Sequence, residues 1–289
     1  MPQENMNIQW YPGHMTKTRR QIEADLKLVD AVCEIVDARI PISSRNPDID
    51  SICGNKPRVV ILNRMDLADP MATKRWVDYF RSKGIAAIPT DCKSKKGINN
   101  FQPTVREILK EKIQRDAAKG MKRPIRVMVV GIPNVGKSTL INQISGRKGA
   151  KAENRPGVTR GKQWVTVDTG LLLLDTPGIL WPKFEDPNVG LALAFTGAVK
   201  EDVIDLEELA CRLMELLHQR YPEAVKDRYG VEAPEGTPGY ELLEVAGKKR
   251  GFLLARGEIN TERMAKVLVD EYRNGKLGKF TLESPEDIP

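Results

Sequence analysis

The sequence predicts an α/β fold: a doubly wound, mostly parallel six-stranded sheet, followed by a small all-α C-terminal domain. Three observations predict it. Short apolar runs ending in polar, loop-forming residues alternate with amphipathic stretches of helix length. Two further runs meet at a tight turn, the mark of an antiparallel hairpin, so the sheet is mixed. Beyond about Pro187 the strand signal stops and leucine-rich helical periodicity takes over, which places the domains at residues 1–186 and 187–289.

The four alternating runs are AVCEIVDAR (Ala31 to Arg39), RVVILNRMD (Arg58 to Asp66), IAAIPTDCK (Ile85 to Lys93) and IRVMVVG (Ile125 to Gly131). Their near-continuous apolar character suits parallel strands buried on both faces. Met71 to Lys83 and Asn99 to Ala118 are the amphipathic segments between them, as βαβ crossovers require. Gln163 to Asp168 and Leu171 to Asp175, joined at Thr169 and Gly170, form the hairpin. In the C-terminal domain Asp205 and Glu208 resemble a capping box. Leu206, Leu209, Ala210, Leu213, Leu216 and Leu217 share one helical face. Further helices are expected over Pro222 to Tyr229, stopped by Gly230, over Gly239 to Ala246, and from near Asn260 to before Gly275.

A chain of 289 residues, 40% apolar and 29% charged, is long enough to bury a full core and is not a disordered composition. The net charge of +7 suits a polyanionic partner. Cys33, Cys53, Cys92 and Cys211 include no CxxC pair and there are only two histidines, so neither a zinc site nor a disulfide framework is expected. No signal-peptide core opens the chain, and no apolar run approaches the roughly 20 residues of a membrane helix. A soluble, cytoplasmic protein with no membrane partner is the expectation.

The chemistry is carried by four loops. GIPNVGKS, Gly131 to Ser138, follows a strand and precedes a helix from about Lys137 to Ile144. In GxxxxGKS the glycines let backbone amides close around phosphate oxygens, Lys137 supplies charge, and Ser138 can coordinate magnesium. Asn134, Val135, Gly136, Lys137, Ser138 and Thr139 are the expected phosphate-side contacts. DTPG, Asp175 to Gly178, ends a strand where Asp175 could hold the metal's water shell and Gly178 could bring its amide to a γ-phosphate. PGVT places Thr159 in a Gly-containing loop, as a metal-bound switch threonine would need; a lone threonine there reads first as an ordinary loop residue, and its place behind a P-loop and ahead of DTPG reverses that reading. NRMD supplies Asn63 and Asp66, whose carboxylate can accept from the N1 and N2 donors of guanine; by itself the pair also reads as a turn. Arg64 replaces the usual lysine, with an aliphatic stem and planar head that could cover the base. TDCK, Thr90 to Lys93, ends the next strand, where Asp91 and Cys92 are the expected contacts to guanine O6.

In chain order these are base-reading motif, second base loop, P-loop, switch threonine and DxxG, the order of circularly permuted GTPases. The N-terminal WYPGHMTK together with IVDARIP resembles the YlqF/RbgA family of ribosome biogenesis GTPases, over nearly the whole chain. The resemblance implies a circularly permuted P-loop GTPase domain and an RNA-contacting helical domain. It also implies conversion of GTP to GDP and phosphate with Mg2+, and a role in late assembly of the large ribosomal subunit. The implied partners are the precursor particle, its rRNA and ribosomal proteins, and no DNA. Because loops at the carboxyl ends of the strands form the site wherever the chain begins, joining the old termini through Lys119 to Pro124 and cutting after DTPG preserves it. The cut sends DTPGIL straight into the helical domain, so nucleotide state can bias that domain.

Ile179 stands where a water-orienting glutamine usually follows DxxG, so hydrolysis needs another group. The resemblance makes His14 of PGHM the candidate, against the alternative of a surface or RNA-contacting histidine. Asn134 resembles the asparagine that holds K+ in potassium-activated relatives, or it braces the loop. Basic residues gather at Arg147, Lys148, Lys151, Arg155, Arg160 and Lys162, at His14, Lys17, Arg19 and Arg20, and in the last domain at Lys248, Lys249, Arg250, Arg256, Arg263, Lys266, Arg273, Lys276 and Lys279. With no RNP-like aromatic motif, RNA recognised by shape fits best. The reading is a GTPase that docks on an immature large subunit in the GTP state and leaves after particle-stimulated hydrolysis. Its rivals are a nucleotide-gated binding module with negligible turnover and a GTPase acting on a protein partner without RNA.

Overall fold

The computed structural model describes residues 15–146, 163–168, 170–178, 186–199, 205–255 and 257–288. Its described residues form two compact units: one holds the sheet and the closing segment from Glu283, the other runs from residue 186 to Leu282. The sequence places the helical domain out to residue 289, whereas the segment after Leu282 belongs with the sheet.

Six strands, β1 (Ala31–Asp37), β2 (Arg58–Asn63), β3 (Ala86–Pro89), β4 (Ile125–Val130), β5 (Gln163–Asp168) and β6 (Leu171–Asp175), form one sheet in the order β3-β2-β1-β4-β6-β5. All neighbours are parallel except β5, which pairs antiparallel with β6 at the edge. The strand that leads into GxxxxGKS is fourth in the chain yet central in the sheet, and the strands leading into the base loops precede it. Every residue of β1 is buried, as a strand covered on both faces demands. Along one face of β1, Val32 packs with Met128, Val130, Leu174 and Trp164, and Val36 with Val60, Leu62, Trp76 and Phe80. Glu34, between them on the same face, is buried and takes two 3.0 Å bonds from Arg45, the partner an inward-pointing carboxylate needs.

Helices α1 (Met15–Leu26), α2 (Ile49–Cys53), α3 (Pro70–Ser82), α4 (Phe101–Ile108), α5 (Lys110–Ala118) and α6 (Lys137–Ile144) complete this unit. Asp69 starts α3 by accepting from the Met71 and Ala72 amides, with Pro70 behind it. The single helix expected over Asn99 to Ala118 is divided at Leu109, where the backbone leaves helical values (φ −107°, ψ 9°). The division has a packing reason: α4 buries Phe101 and Val105, while α5 buries nothing and lies over the solvent side. The expectations from sequence include neither α1 nor α2.

The closing segment is held by specific bonds. The Glu283 carboxylate accepts from the amides of Ile42 (2.7 Å) and Ser43 (3.0 Å), and its carbonyl accepts from Trp76 Nε1 at 3.2 Å. Glu283→Ala leaves both amides without an acceptor. We therefore expect it to cost about 2–4 kcal/mol, read as a lower denaturant midpoint in tryptophan fluorescence. A midpoint equal to wild type would show that the segment is not held this way.

The second unit consists of α7 (Pro187–Phe195), which is not among the helices expected from sequence, α8 (Leu206–Arg220), α9 (Pro222–Tyr229), α10 (Gly239–Lys249) and α11 (Thr261–Arg273). Asp205 caps α8 by accepting from Glu207 and Glu208. The buried stripe of α8 is turned slightly from the expected one: Met214 and His218 are inside and Leu206 and Leu216 only partly so. Gly230, at φ 66°, ends α9. Gly239 allows the start of α10 to lie directly on the Cys211 backbone of α8, where a Cβ would collide with the carbonyl. Glu271 collects Arg228, Arg250 and the Tyr229 hydroxyl beneath α11.

Candidate nucleotide site

The site lies at the carboxyl ends of β2, β3, β4 and β6, and its shape starts from glycine. After β4 the chain turns through Gly131 to Gly136 into α6. A Cβ on Gly131 would stand 2.6 Å from the Ile35 carbonyl oxygen. Gly136, at φ 108°, would drive one into the side-chain amide of Asn63. Both positions therefore require the missing side chain. Lys137, at the first turn of α6, is buried, and its Nζ donates to the carbonyls of Gly131 (3.3 Å) and Ile132 (3.2 Å). Burial pushes its pKa down and the Asp175 carboxylate partly offsets this; burial pushes Asp175 up and Lys137 partly offsets that. The two charges thus stabilise one another at the end of β6.

DTPG lies on this loop. The Thr176 hydroxyl donates to the Val129 carbonyl at 2.6 Å, tying the end of β6 to β4. A Cβ on Gly178 would meet Lys137 Nζ at 2.8 Å and Pro133 at 2.9 Å. That proximity is what a backbone amide offered to the same phosphate as Lys137 needs. Ser138, on α6, and Asp175, on β6, flank Lys137 and offer a hydroxyl and a carboxylate, oxygen donors of the kind a hard divalent cation takes. Among the described residues no cluster of three or more His, Cys, Asp or Glu could hold a metal by itself. A cation held by this hydroxyl and carboxylate would complete its shell with nucleotide oxygens and water, as suits magnesium.

On the other side, Asn63 joins three loops. Its Nδ2 donates to the Val135 carbonyl of the phosphate loop (2.7 Å), and its Oδ1 accepts from the Cys92 amide (3.1 Å). Arg64, at φ 62°, donates from Nη2 to the Asn134 carbonyl at 2.8 Å; Asn134 is itself left-handed at φ 59°. The Met65 amide reaches the Thr90 carbonyl (3.1 Å), which leaves the Asp66 carboxylate exposed beside the TDCK loop. Asp91 is committed to that loop: its Oδ1 accepts from Lys93 (2.9 Å) and Ser94 (3.3 Å). Although burial pushes Asp91 up, bonds from Ser94 and Lys93 hold its carboxyl below the ordinary value. The Asp91 side chain thus builds the loop, and the Cys92 amide fastens it to Asn63.

The structure therefore brings together Asn63, Arg64, Asp66, Asp91, Cys92, Asn134, Val135, Gly136, Lys137, Ser138, Thr139, Asp175 and Gly178. His14, Thr159, Ile179 and the basic stretch from Arg147 to Lys162 lie outside the described residues. The sequence motifs assign no role to Thr176 or to the pair Asp37 and Arg39 at the end of β1. The available signal is an acidic residue closing a buried strand that is apolar apart from Glu34; the sheet then sets it in register with Asn63 on β2.

A family model described as 50S ribosome-binding GTPase matches residues 126–218. The match begins on β4, the strand that leads into the phosphate loop, with the base loops upstream of it. The ribosome biogenesis GTPase A of Priestia megaterium is 49% identical, with 98% of each chain covered. That of Bacillus licheniformis is 50% identical over 98% of this chain and 100% of its own. Among solved structures, GNP-bound YlqF from T. maritima superposes with a TM-score of 0.62 at 29% identity, covering 94% of this chain and 100% of its own.

Proposed function

The chain belongs to the ribosome biogenesis GTPase A family, and from that premise we propose that it is a GTP-hydrolysing assembly factor for the large ribosomal subunit. It binds precursor particles and their rRNA in the GTP state and is released after hydrolysis that the particle stimulates. The observation that carries the reading is the convergence of the base loops, phosphate loop and DTPG through Asn63, Arg64 and Gly178. Asp66 reads the guanine edge, Asn134 to Thr139 cradle the phosphates, and Lys137 and the Gly178 amide meet the γ-phosphate. Ser138, Thr159 and, through water, Asp175 are the residues that hold Mg2+, which when bound neutralises charge on the phosphate oxygens. Asn134, exposed in the loop, is the residue assigned to a K+ ion.

For RNA, the second unit offers the exposed side chains of Lys248, Lys249, Arg263, Lys266, Lys276 and Lys279. Arg250 and Arg273 serve the fold instead: Arg250 donates to Glu271, and Arg273 to the carbonyls of Phe195 and Ala194. No helix among the described residues is long and apolar enough to cross a membrane.

Because Ile179 cannot hydrogen-bond a water through its side chain, we assign water activation to His14. His14→Ala is expected to lower particle-stimulated kcat by roughly 10²-fold, with GTP and subunit affinities retained, as for an interaction made in the transition state. The measurements are single-turnover hydrolysis at saturating subunit and a salt-dependent pelleting assay. A normal kcat with lost pelleting would make His14 an RNA anchor. Wild-type protein that shows no stimulation by subunits, or does not pellet with them, would overturn the assembly reading.

A further inference from the structure

The guanine-reading loop is fastened to an anion that neither phosphate nor base chemistry uses. Asp37, closing β1, is only 3% exposed. Its Oδ1 accepts from Arg39 Nε and from the Arg39 amide, both at 3.0 Å, and its Oδ2 accepts from Arg39 Nη2 at 2.8 Å. Oδ2 also faces Arg64 Nε at 3.7 Å. The other arm of that guanidinium is the one that donates to the Asn134 carbonyl of the phosphate loop. Arg64 therefore reaches from the end of β1 to the phosphate loop. Its left-handed backbone, uncommon for a residue with a Cβ, persists only where the surroundings determine it. A lysine has one ammonium and no rigid fork, so it could not make both contacts in a fixed plane. Burial pushes Asp37 up, but Arg39 and Arg64 outweigh this and hold its carboxyl below the ordinary value. The anion is therefore in place at neutral pH.

We propose that Asp37 is a positioning residue for the guanine nucleotide: it holds the Arg64 guanidinium against the Asn134 carbonyl, so that the base-reading loop and the phosphate loop close together on one ligand. The proposal rests on reading Asn63 to Asp66 as the guanine loop. The register places Asp37 opposite Asn63, so two struts join the same pair of loops, a buried one through the Asn63 amide and a half-exposed one through Arg64.

The test is dissociation of mant-GDP, chased with excess GDP, from the full chain and from Asp37→Asn, Arg64→Ala and the double variant. Each single change should speed release about tenfold, the range of one charge-assisted contact. The double variant should release no faster than the faster single, since both remove one strut. Multiplied factors in the double variant, or a wild-type rate in either folded single variant, would overturn the proposal. A purely structural Asp37 would lower the unfolding midpoint without producing this non-additivity. If Asp37→Asn does not fold because Arg39 loses its anion, Arg64→Lys decides: it keeps the charge and loses the fork, and a wild-type release rate there overturns the proposal. Wild-type protein that holds mant-ADP as well as mant-GDP would defeat the guanine reading and the proposal with it, whereas unchanged variants of a guanine-selective wild type defeat the proposal alone.

Discussion

Lys137→Ala is expected to reduce GTP turnover by about 10³-fold or more, while the protein unfolds at nearly the wild-type midpoint. The Lys137 ammonium is buried between the phosphate loop and Gly178, and it donates to two carbonyls of its own loop. Folding gains little from such a group, because removing it from water costs about as much as those bonds return. Its value is to charge developing on the transferred phosphoryl group, in a site where dielectric screening is weak. Single-turnover hydrolysis and thermal unfolding of the same preparation separate the two contributions. Turnover that survived in a normally folded variant would remove the phosphate assignment of the loop.

Asp66→Asn is expected to weaken GTP binding by about 10²-fold or more and to erode the preference for guanine over adenine. The carboxylate offers two acceptors to the two donors on the guanine edge; an asparagine places a donor against one of them, leaving a mispaired polar contact in the complex. Asp66 is exposed and its neighbours Asn63 and Arg64 carry the loop's structural bonds, so the substitution should not disturb the fold. Competition titrations with GTP, ATP and xanthosine triphosphate check this, since xanthine presents an acceptor where guanine has a donor and should be favoured by the variant. GTP affinity equal to wild type would place base recognition elsewhere.

Both expectations are legible in the amino-acid sequence because their residues lie in short motifs with a fixed local mechanism. The strands are legible for the same reason: Val32 to Val36, Val59 to Leu62 and Val127 to Val130 are buried runs whose composition leaves few alternatives. The hairpin of β5 and β6 and the caps at Asp205 and Gly230 depend on neighbouring residues only. The order of the motifs along the chain is likewise enough to place the permutation.

Local patterns along the chain thus suffice to say which loops exist and which chemistry each can hold. How those loops are fastened is a property of the folded chain. Asn63 meets Val135 across 72 positions and Glu283 meets Ile42 across 241, and no local periodicity encodes such pairs. The break at Leu109 and the rotated stripe of α8 were set by what packs against them. The buried anion at Asp37 gained its meaning only when the sheet register brought it level with Asn63. One cause underlies all of these: local propensity and patterning act within a few residues, whereas a buried carboxylate, an amide or a guanidinium takes the partner that the folded chain places within hydrogen-bond reach.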